Sequence, residues 1–266
     1  MDIGAKRRWA RFINRAHGHT LMVPLDHGLT MGPLKGMESY SALRGWLNHP
    51  DIDAVIVHKG LLKFLVDNNL ANYSAVCMHI NGTSNLSLDT SDKPLLVNIE
   101  TAMRYGADAV SIDLMFSPGN TARNFSLLGK VIQEADSQGI PVLVMLNIDA
   151  DGYNGADKVE LQRRYMRSMC ELGVTAVKLK KPDNLEALKA TLDGLCNDIN
   201  IVFAGGDKCD EASVTRMASN AVNSGAQGIC IGRNVFQDPN PAQFIHKLKS
   251  ALFIHEAVEN SLRVEV

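Results

Sequence analysis

Eight short and nearly continuous apolar runs recur along the 266-residue chain, and this repetition constrains the fold more than any other feature. The starts of successive runs lie about 20 to 35 residues apart, which fits repeated strand–helix units. Their continuous hydrophobicity is typical of strands buried on both faces of a parallel sheet. The runs span residues 21–26, 54–59, 74–80, 109–114, 141–146, 176–181, 201–205 and 228–232.

Amphipathic patterns typical of helices separate most of these runs. They cover residues 94–105, 122–138, 157–172, 185–196, 210–224 and 241–258. Gly139 and Gly173 follow two of these patterns directly and are predicted to end the helices. Eight units in a chain of this length predict an α/β fold, a single (β/α)8 TIM barrel over residues 1–266, with residues 1–20 preceding the first strand.

Pro24 lies inside the first apolar run, although proline removes a hydrogen-bond donor from a strand. A closed barrel has no edge at which such a residue can be placed. We therefore expect either a local bulge at Pro24 or a position at which no donor is required.

Composition excludes several functional classes. The 27 basic and 29 acidic residues give a net charge of −2, which disfavours a nucleic-acid partner. Every apolar run is far shorter than the roughly 20 residues that cross a membrane, and the N-terminus has no apolar stretch typical of a secretory signal. Five cysteines without a C-x-x-C motif indicate free thiols, so a cytoplasmic location is expected.

Polar residues follow the predicted strands at the point where each strand ends. In a barrel of this kind, those ends form the face that carries the chemistry. They are Asp26, His27, His58, Lys59, His79, Asn81, Asp113, Asn147, Lys178, Gly205, Gly206 and Arg233.

Lys178 is the most informative of these residues because it interrupts an apolar strand. Strand alternation places Lys178 and Lys180 on one face. Burial penalises an ammonium group, so the pKa of Lys178 is expected to fall, and the charge of Lys180 would lower it further. A free amine in such a place can form a Schiff base with a carbonyl compound. The alternative is that this stretch is a solvated strand end.

A carboxylate and two glycine-bearing segments are further candidates. Asp26 could move protons at the barrel mouth, or it could merely hold Lys178 or cap a loop. The loops after strands seven and eight commonly bind phosphate in this fold. Backbone N–H groups near Gly205, Gly206 and Gly232 could approach an anion, and Arg233 could add a forked contact, unless these are simple turn glycines.

The eight histidines do not predict a metal site. His17 and His19 precede the first strand, so they are expected at the end of the barrel opposite the chemistry. His27, His58 and His79 lie near strand ends, where histidines are more often hydrogen-bonded fixtures than ligands.

The ordered set of motifs resembles the archaeal-type class I aldolase family, which includes class I fructose-bisphosphate aldolases and 2-amino-3,7-dideoxy-D-threo-hept-6-ulosonate synthase. The resemblance extends from about residue 20 to residue 258. The motifs are VPLDHG at 23–28 with GP at 32–33 and Gly36, VHKG at 57–60, GADAVSI at 106–112, ELGVTAVK at 171–178, AGG at 204–206 and GICIGRNVFQ at 228–237.

The resemblance implies a Schiff-base aldolase or transaldolase that acts on a ketose phosphate, closer to the heptulosonate synthase branch. It implies no cofactor beyond the covalent adduct on Lys178, with Asp26 as the acid/base partner. The residues implied to hold the substrate phosphate are Gly205, Gly206, Gly232 and Arg233. Weaker candidates for contacting the substrate are His27, Lys59 and Asp113.

One position departs from the family pattern. The family has a proton-donating tyrosine after the fifth strand, where this chain has Asn147. An amide side chain does not titrate, so Asn147 cannot be that acid. Asp149 or Tyr153, from the same loop, is a candidate substitute, and Asp113 also replaces the usual residue of the fourth strand.

Two other functions remain open at this point. A related branch transfers an acyl group from a phosphorylated diketone to coenzyme A with the same lysine. A barrel that only binds a sugar phosphate is the second alternative, although the presence of both Lys178 and Asp26 argues against it. Homo-oligomerisation is expected from the resemblance alone.

Overall fold

Eight parallel strands close into a barrel in chain order, and β1 pairs with β8 to complete it. The computed structural model describes residues 2–153, 157–182 and 184–263. The strands are β1 (Thr20–Pro24), β2 (Ala54–Val57), β3 (Ala75–His79), β4 (Ala109–Phe116), β5 (Val142–Ile148), β6 (Ala176–Lys180), β7 (Asn200–Ala204) and β8 (Gly228–Cys230). All eight predicted strands are present, and the predicted TIM barrel is confirmed.

Helices surround the barrel. They are α1 (Ile3–Trp9), α2 (His27–Met31), α3 (Lys59–Asp67), α4 (Ile99–Arg104), α5 (Thr121–Gln138), α6 (Lys158–Glu171), α7 (Leu185–Leu192), α8 (Glu211–Asn223), α9 (Arg233–Phe236) and α10 (Pro241–Arg263), with 3-10 turns at Tyr40–Leu43, Ala150–Tyr153 and Leu195–Asn197. The six predicted helices correspond to α4–α8 and α10. Within the described ranges, no helix is both long and apolar enough to span a membrane.

The helix ends follow the glycine rule that the sequence predicts. Gly139 ends α5 in the left-handed conformation, with φ 60° and ψ 37°, and its N–H donates to the carbonyl of Ala135. Gly173, which follows α6, also has a positive φ of 85°. A side chain is disfavoured in this conformation, so glycine allows the chain to turn from helix to strand.

Two apolar clusters separate the inside of the barrel from its outer shell. One cluster fills the barrel interior and includes Met22, Ile56 and Leu143. Trp9 and Phe12, whose rings stack with centroids 4.9 Å apart, belong to the same cluster and seal the amino-terminal end. The larger cluster packs the outward strand faces against the helices. The closed lower end leaves the carboxyl ends of the strands as the place for a site.

Pro24 occupies a position at which no donor is required. It is the last residue of β1, and pairing with β8 has already ended at Met22. The next N–H, that of Leu25, donates to the carbonyl of Ile56 on the other neighbouring strand. No bulge is therefore needed at Pro24.

Candidate active site

A polar layer continues the interior face of the barrel above the apolar cluster. Because side chains alternate along a strand, the residue two positions after an interior residue also faces inward. Interior Ile56, Cys77 and Met145 are thus followed by His58, His79 and Asn147. The same alternation predicts that β4 and β6 direct Asp113 and Lys178 to this layer, and both line the cavity described next.

A cavity of about 520 Å³ opens at the carboxyl ends of β4–β8. This volume suits a small-molecule ligand. Six of the sequence-predicted site residues line it, namely Asp113, Asn147, Lys178, Gly205, Gly206 and Arg233. The described lining residues do not include Asp26, His27, Lys59 or Gly232.

The amine of Lys178 lies 3.8 Å from the sulfur of Met145 and above the buried thiols of Cys77 and Cys230. Burial alone would lower its pKa, but Cys230 and the carboxylates of Asp26 and Asp113 outweigh burial, so the pKa of Lys178 lies above its ordinary value. The expectation of a lowered pKa is therefore wrong for the free protein. Lys180 lies on the same face but is exposed, so water screens its charge.

Asp26 directly precedes α2 and is not among the described lining residues of the cavity. Burial alone would raise its pKa, but His79 and Lys178, followed by His27 and His58, lower it below its ordinary value. Asp26 Oδ1 lies 3.6 Å from His27 Nδ1. Asp26 therefore carries a negative charge close to the amine of Lys178.

The strand-end histidines are hydrogen-bonded to their surroundings. His79 Nδ1 lies 2.8 Å from Ser111 Oγ, and His58 Nδ1 lies 3.1 Å from the carbonyl oxygen of His79. Burial lowers the pKa of His79 to about 4, so its ring is neutral at pH 7. Among the described residues, no group of three or more His, Cys, Asp or Glu side chains is placed to hold a metal ion.

Asp113 is held by two donors, one of which sequence reasoning missed. Asn147 Nδ2 donates to Asp113 Oδ1 at 2.8 Å, and Lys93 Nζ donates to Asp113 Oδ2 at 2.6 Å. Lys93 comes from the polar loop between β3 and α4, which has no periodic pattern. A cation in such a loop resembles any solvated lysine in the sequence, so only the fold reveals its partner.

The loops after β7 and β8 meet on the far side of the cavity from Asp113. Gly206 has a positive φ of 72°, and Arg233, the first residue of α9, pairs with the exposed carboxylate of Asp207. Gly232 packs so closely that an added Cβ would lie 2.8 Å from the carbonyl oxygen of Pro24. Gly232 therefore brings the β8 end against β1, outside the described lining of the cavity.

Three other candidates, Lys59, Tyr153 and Asp149, lie outside the described lining of the cavity. Lys59 begins α3 and is exposed beside a separate pocket. His17 contacts Phe253 at the opposite end of the barrel, as predicted, with ring centroids 4.1 Å apart. The hydroxyl of Tyr153 bonds to that of Tyr165, and Asp149 lines a neighbouring cavity of about 370 Å³.

Comparisons with known proteins agree with this architecture. The chain is 31% identical to 2-amino-3,7-dideoxy-D-threo-hept-6-ulosonate synthase 1 of Archaeoglobus fulgidus, over 99% of this chain and 94% of that protein. It is 25% identical to the class 1 fructose-bisphosphate aldolase of Halobacterium salinarum, over 92% and 94% of the two chains.

A solved archaeal fructose-1,6-bisphosphate aldolase, whose catalytic lysine carries a covalent carbinolamine intermediate, has the same fold. The TM-score is 0.80 at 19% identity, and the match covers 93% of this chain and 98% of that one. The family model described as DeoC/LacD family aldolase matches residues 20–238, which include every strand of the barrel. This chain therefore belongs to the DeoC/LacD family of class I aldolases.

Proposed function

We propose that this protein is a Schiff-base aldolase in which Lys178 forms a covalent imine with a ketose phosphate and a carbon–carbon bond is then made or broken. The observation that carries the proposal is the placement of Lys178 in a cavity that also holds a carboxylate, Asp113, and a cation, Arg233. A lysine amine, a base and an anion-binding group are the three functions that such a reaction requires.

Imine formation begins with loss of the proton that Lys178 holds in the free protein. The neutral amine attacks the ketone carbon, and the resulting carbinolamine loses water to give a protonated imine. Asp26 is the proposed acid/base group for these steps, because its negative charge acts directly on Lys178. His58 is hydrogen-bonded to the backbone of Asp26, and burial lowers the pKa of both His58 and His79 below the ordinary value.

The phosphate group is proposed to bind on the β7 and β8 side, at Gly205, Gly206 and Arg233, which line the cavity, whereas Gly232 packs against β1 outside the described lining. The N–H of Gly205 already donates to the carbonyl oxygen of Cys230. The group proposed to hold the anion is therefore the guanidinium of Arg233, which matches phosphate in geometry and lines the cavity beside Gly206. In the free protein Arg233 pairs with Asp207, whose side chain is 91% exposed. Phosphate would take the place of this solvated carboxylate on Arg233. A phosphate held there would fix the ketone carbon of the substrate near Lys178.

The reaction direction is proposed from the relatives. The protein that is 31% identical is named as a heptulosonate synthase, and another, from Streptomyces griseus, is named as 2-amino-4,5-dihydroxy-6-oxo-7-(phosphonooxy)heptanoate synthase, with 26% identity over 90% of this chain. We therefore propose that the protein not only cleaves its substrate but also transfers the fragment held on Lys178 to an aldehyde acceptor. A cytoplasmic location and homo-oligomerisation stay predictions.

The first test is covalent trapping. Ketose phosphates are incubated with the protein, borohydride is added, and the adduct is located by peptide mass mapping. We expect a stable adduct on Lys178, and its absence with activity intact would refute the Schiff-base mechanism. The same incubations, repeated with several aldehydes, identify the carbon–carbon bond that is formed.

Matched lysine variants complete the test. Lys178→Met should abolish both the adduct and turnover, whereas Lys180→Met, two residues along the same face, should retain the adduct on Lys178. A protein that binds sugar phosphates equally well with and without Lys178, and turns none of them over, would be a binding protein and not an aldolase.

A further inference from the structure

We propose that Lys93 is a positioning residue for the reaction and that, together with Asn147, it holds Asp113 as a second base of the site. This inference rests on the function proposed above. It assigns a role to a residue of the β3–α4 loop that the sequence motifs do not mark.

Each oxygen of the Asp113 carboxylate has its own donor. Oδ2 accepts from Lys93 Nζ at 2.6 Å, and Oδ1 accepts from Asn147 Nδ2 at 2.8 Å. Both ends of the ion pair are partly buried, with side-chain exposures of 16% for Lys93 and 22% for Asp113. A carboxylate held from two sides in this way has a fixed orientation, which a proton-transfer group requires.

A buried asparagine joins the backbones that carry the ion pair. Asn81 Nδ2 donates to the carbonyl oxygens of Asp113 and Lys93, at 2.8 and 3.1 Å, while its Oδ1 accepts from the N–H of Asp113 at 2.8 Å. Asn81 has no exposed surface. The β3–α4 loop is therefore fixed to β4 at the point where the ion pair forms. Lys93 differs in this respect from a lysine on a surface loop that has no such hydrogen bonds.

The two carboxylates near Lys178 stand in different places. Asp113 lines the cavity, whereas Asp26 is not among its described lining residues. A substrate bound to Lys178 would extend into the cavity and meet Asp113, while Asp26 stays close to the linkage itself. The charged and titratable groups around Asp113 are Lys93 from the β3–α4 loop, Lys178 from β6 and His79 from β3.

The step assigned to Asp113 is the transfer of one proton. In cleavage, its carboxylate takes the proton from the hydroxyl on the carbon that will leave. The bond between that carbon and its neighbour breaks, an aldehyde forms, and the electron pair moves through the neighbouring carbon to the imine nitrogen, giving an enamine. Protonated Asp113 then returns the proton to the enamine carbon, and water hydrolyses the imine. Condensation runs through the same steps in reverse.

The experiment compares Lys93→Met and Lys93→Arg in the full chain. Positioned proton transfer commonly contributes a factor of about 100 or more, so Lys93→Met should lower kcat about 100-fold. The amount of ketose phosphate trapped on Lys178 should change by less than about threefold, because imine formation precedes the step. Lys93→Arg should recover most of the loss, since it restores a cation that can donate to Asp113.

A further readout separates positioning from a general structural effect. Asp113→Asn should be at least as impaired, and Lys93→Met should add little to it, since the two residues act in one step. Arg123→Gln is the control, because it breaks an exposed ion pair to Asp92, the neighbour of Lys93.

The outcomes are distinguishable. Two results would overturn the role of Lys93. One is a kcat of Lys93→Met within twofold of the wild type. The other is a loss of kcat in the Lys93→Met, Asp113→Asn double variant that equals the product of the two single losses. Failure of the wild type to be trapped by any ketose phosphate would instead refute the proposed function. Thermal unfolding of every variant identifies any that fail to fold, and Lys93→Arg then keeps the comparison informative.

Discussion

At the scale of single residues, the electrostatics of Lys178 differ from what its sequence context suggests. An apolar strand predicts a free amine, because burial disfavours charge. In the folded protein, however, Cys230, Asp26 and Asp113 together outweigh burial and raise the pKa of Lys178.

The direction of that shift predicts how Lys178 reacts with pH. A raised pKa means that the amine holds its proton more tightly, so the free-amine fraction falls at any given pH and rises about tenfold per unit below the pKa. The rate at which formaldehyde and cyanoborohydride methylate Lys178 in the free protein should therefore keep rising as the pH is raised from 7 to 10.

Asp26→Asn provides the comparison for this titration. It removes one carboxylate that stabilises the ammonium form, so methylation of Lys178 should reach its maximum at lower pH than in the wild type. A wild-type rate that levels off by pH 8 would contradict the raised pKa.

At the scale of secondary-structure elements, a buried ion pair fixes α10 to the amino-terminal end of the barrel. Lys249 Nζ lies 2.6 Å from Asp53 Oδ1, and the side chains are only 4% and 8% exposed. Asp53 Oδ2 also accepts from the N–H of Leu21 at 2.7 Å. The pair therefore links the helix to β1 and to the residue that precedes β2.

Lys249→Met should destabilise the protein by about 3 to 5 kcal/mol, because it leaves a buried carboxylate without its partner. Chemical denaturation measures this loss. Lys247→Met, two residues away on α10, removes an exposed pair to Glu211 whose side chains are each 43% exposed. That control should cost less than about 1 kcal/mol, because surface pairs contribute little. Equal losses in the free energy of unfolding for Lys249→Met and Lys247→Met would show that the buried pair contributes no more than the exposed one.

At the scale of the whole molecule, the barrel closes at a seam that only glycine permits. A Cβ at Gly228 would lie 2.1 Å from the carbonyl oxygen of Thr20, on the strand with which β8 pairs. Backbone atoms cannot move aside without breaking the pairing of β1 with β8. Closure of the barrel therefore depends on the missing side chain at this position.

Gly228→Ala should lower the free energy of unfolding by at least about 2 kcal/mol, as overpacking against the backbone does. Gly129→Ala is the matched control, because it lies in the middle of α5 and an added Cβ would meet no atom within 4 Å. Replacing a helical glycine of this kind should stabilise the protein by about 0.5 to 1 kcal/mol. Thermal and urea unfolding measure both changes. If Gly228→Ala left the free energy of unfolding unchanged or raised it, the steric role of Gly228 would be contradicted.

The strands were predictable because their apolar runs are long and regular. The helices α2 and α9 are only five and four residues long, which is too short for a helical period to show. The nine-residue α3 does carry such a period, with Leu61, Leu62 and Leu65 buried on one face, and was missed. The sequence also predicted that His58 and His79 lie near strand ends as hydrogen-bonded residues, and both are hydrogen-bonded there. The contact between Lys93 and Asp113 was beyond sequence reasoning, since it joins a polar loop to a strand and depends on how both close over the cavity. The pKa of Lys178 depends on the same long-range neighbours.

The closed order of the strands has one more consequence, for engineering. Strands β1–β4 and the β3–α4 loop supply Asp26, Lys93 and Asp113, while β5–β8 supply Lys178 and the loop that carries Arg233. The first half of the barrel therefore holds both carboxylates, and the second half holds the nucleophile and the anion-facing loops. A chimaera that exchanges only the first half with a relative would change the proton-handling groups around an unaltered lysine. It would also show how far Asp113 depends on its hydrogen bond from Asn147 of β5, which crosses the junction between the two halves.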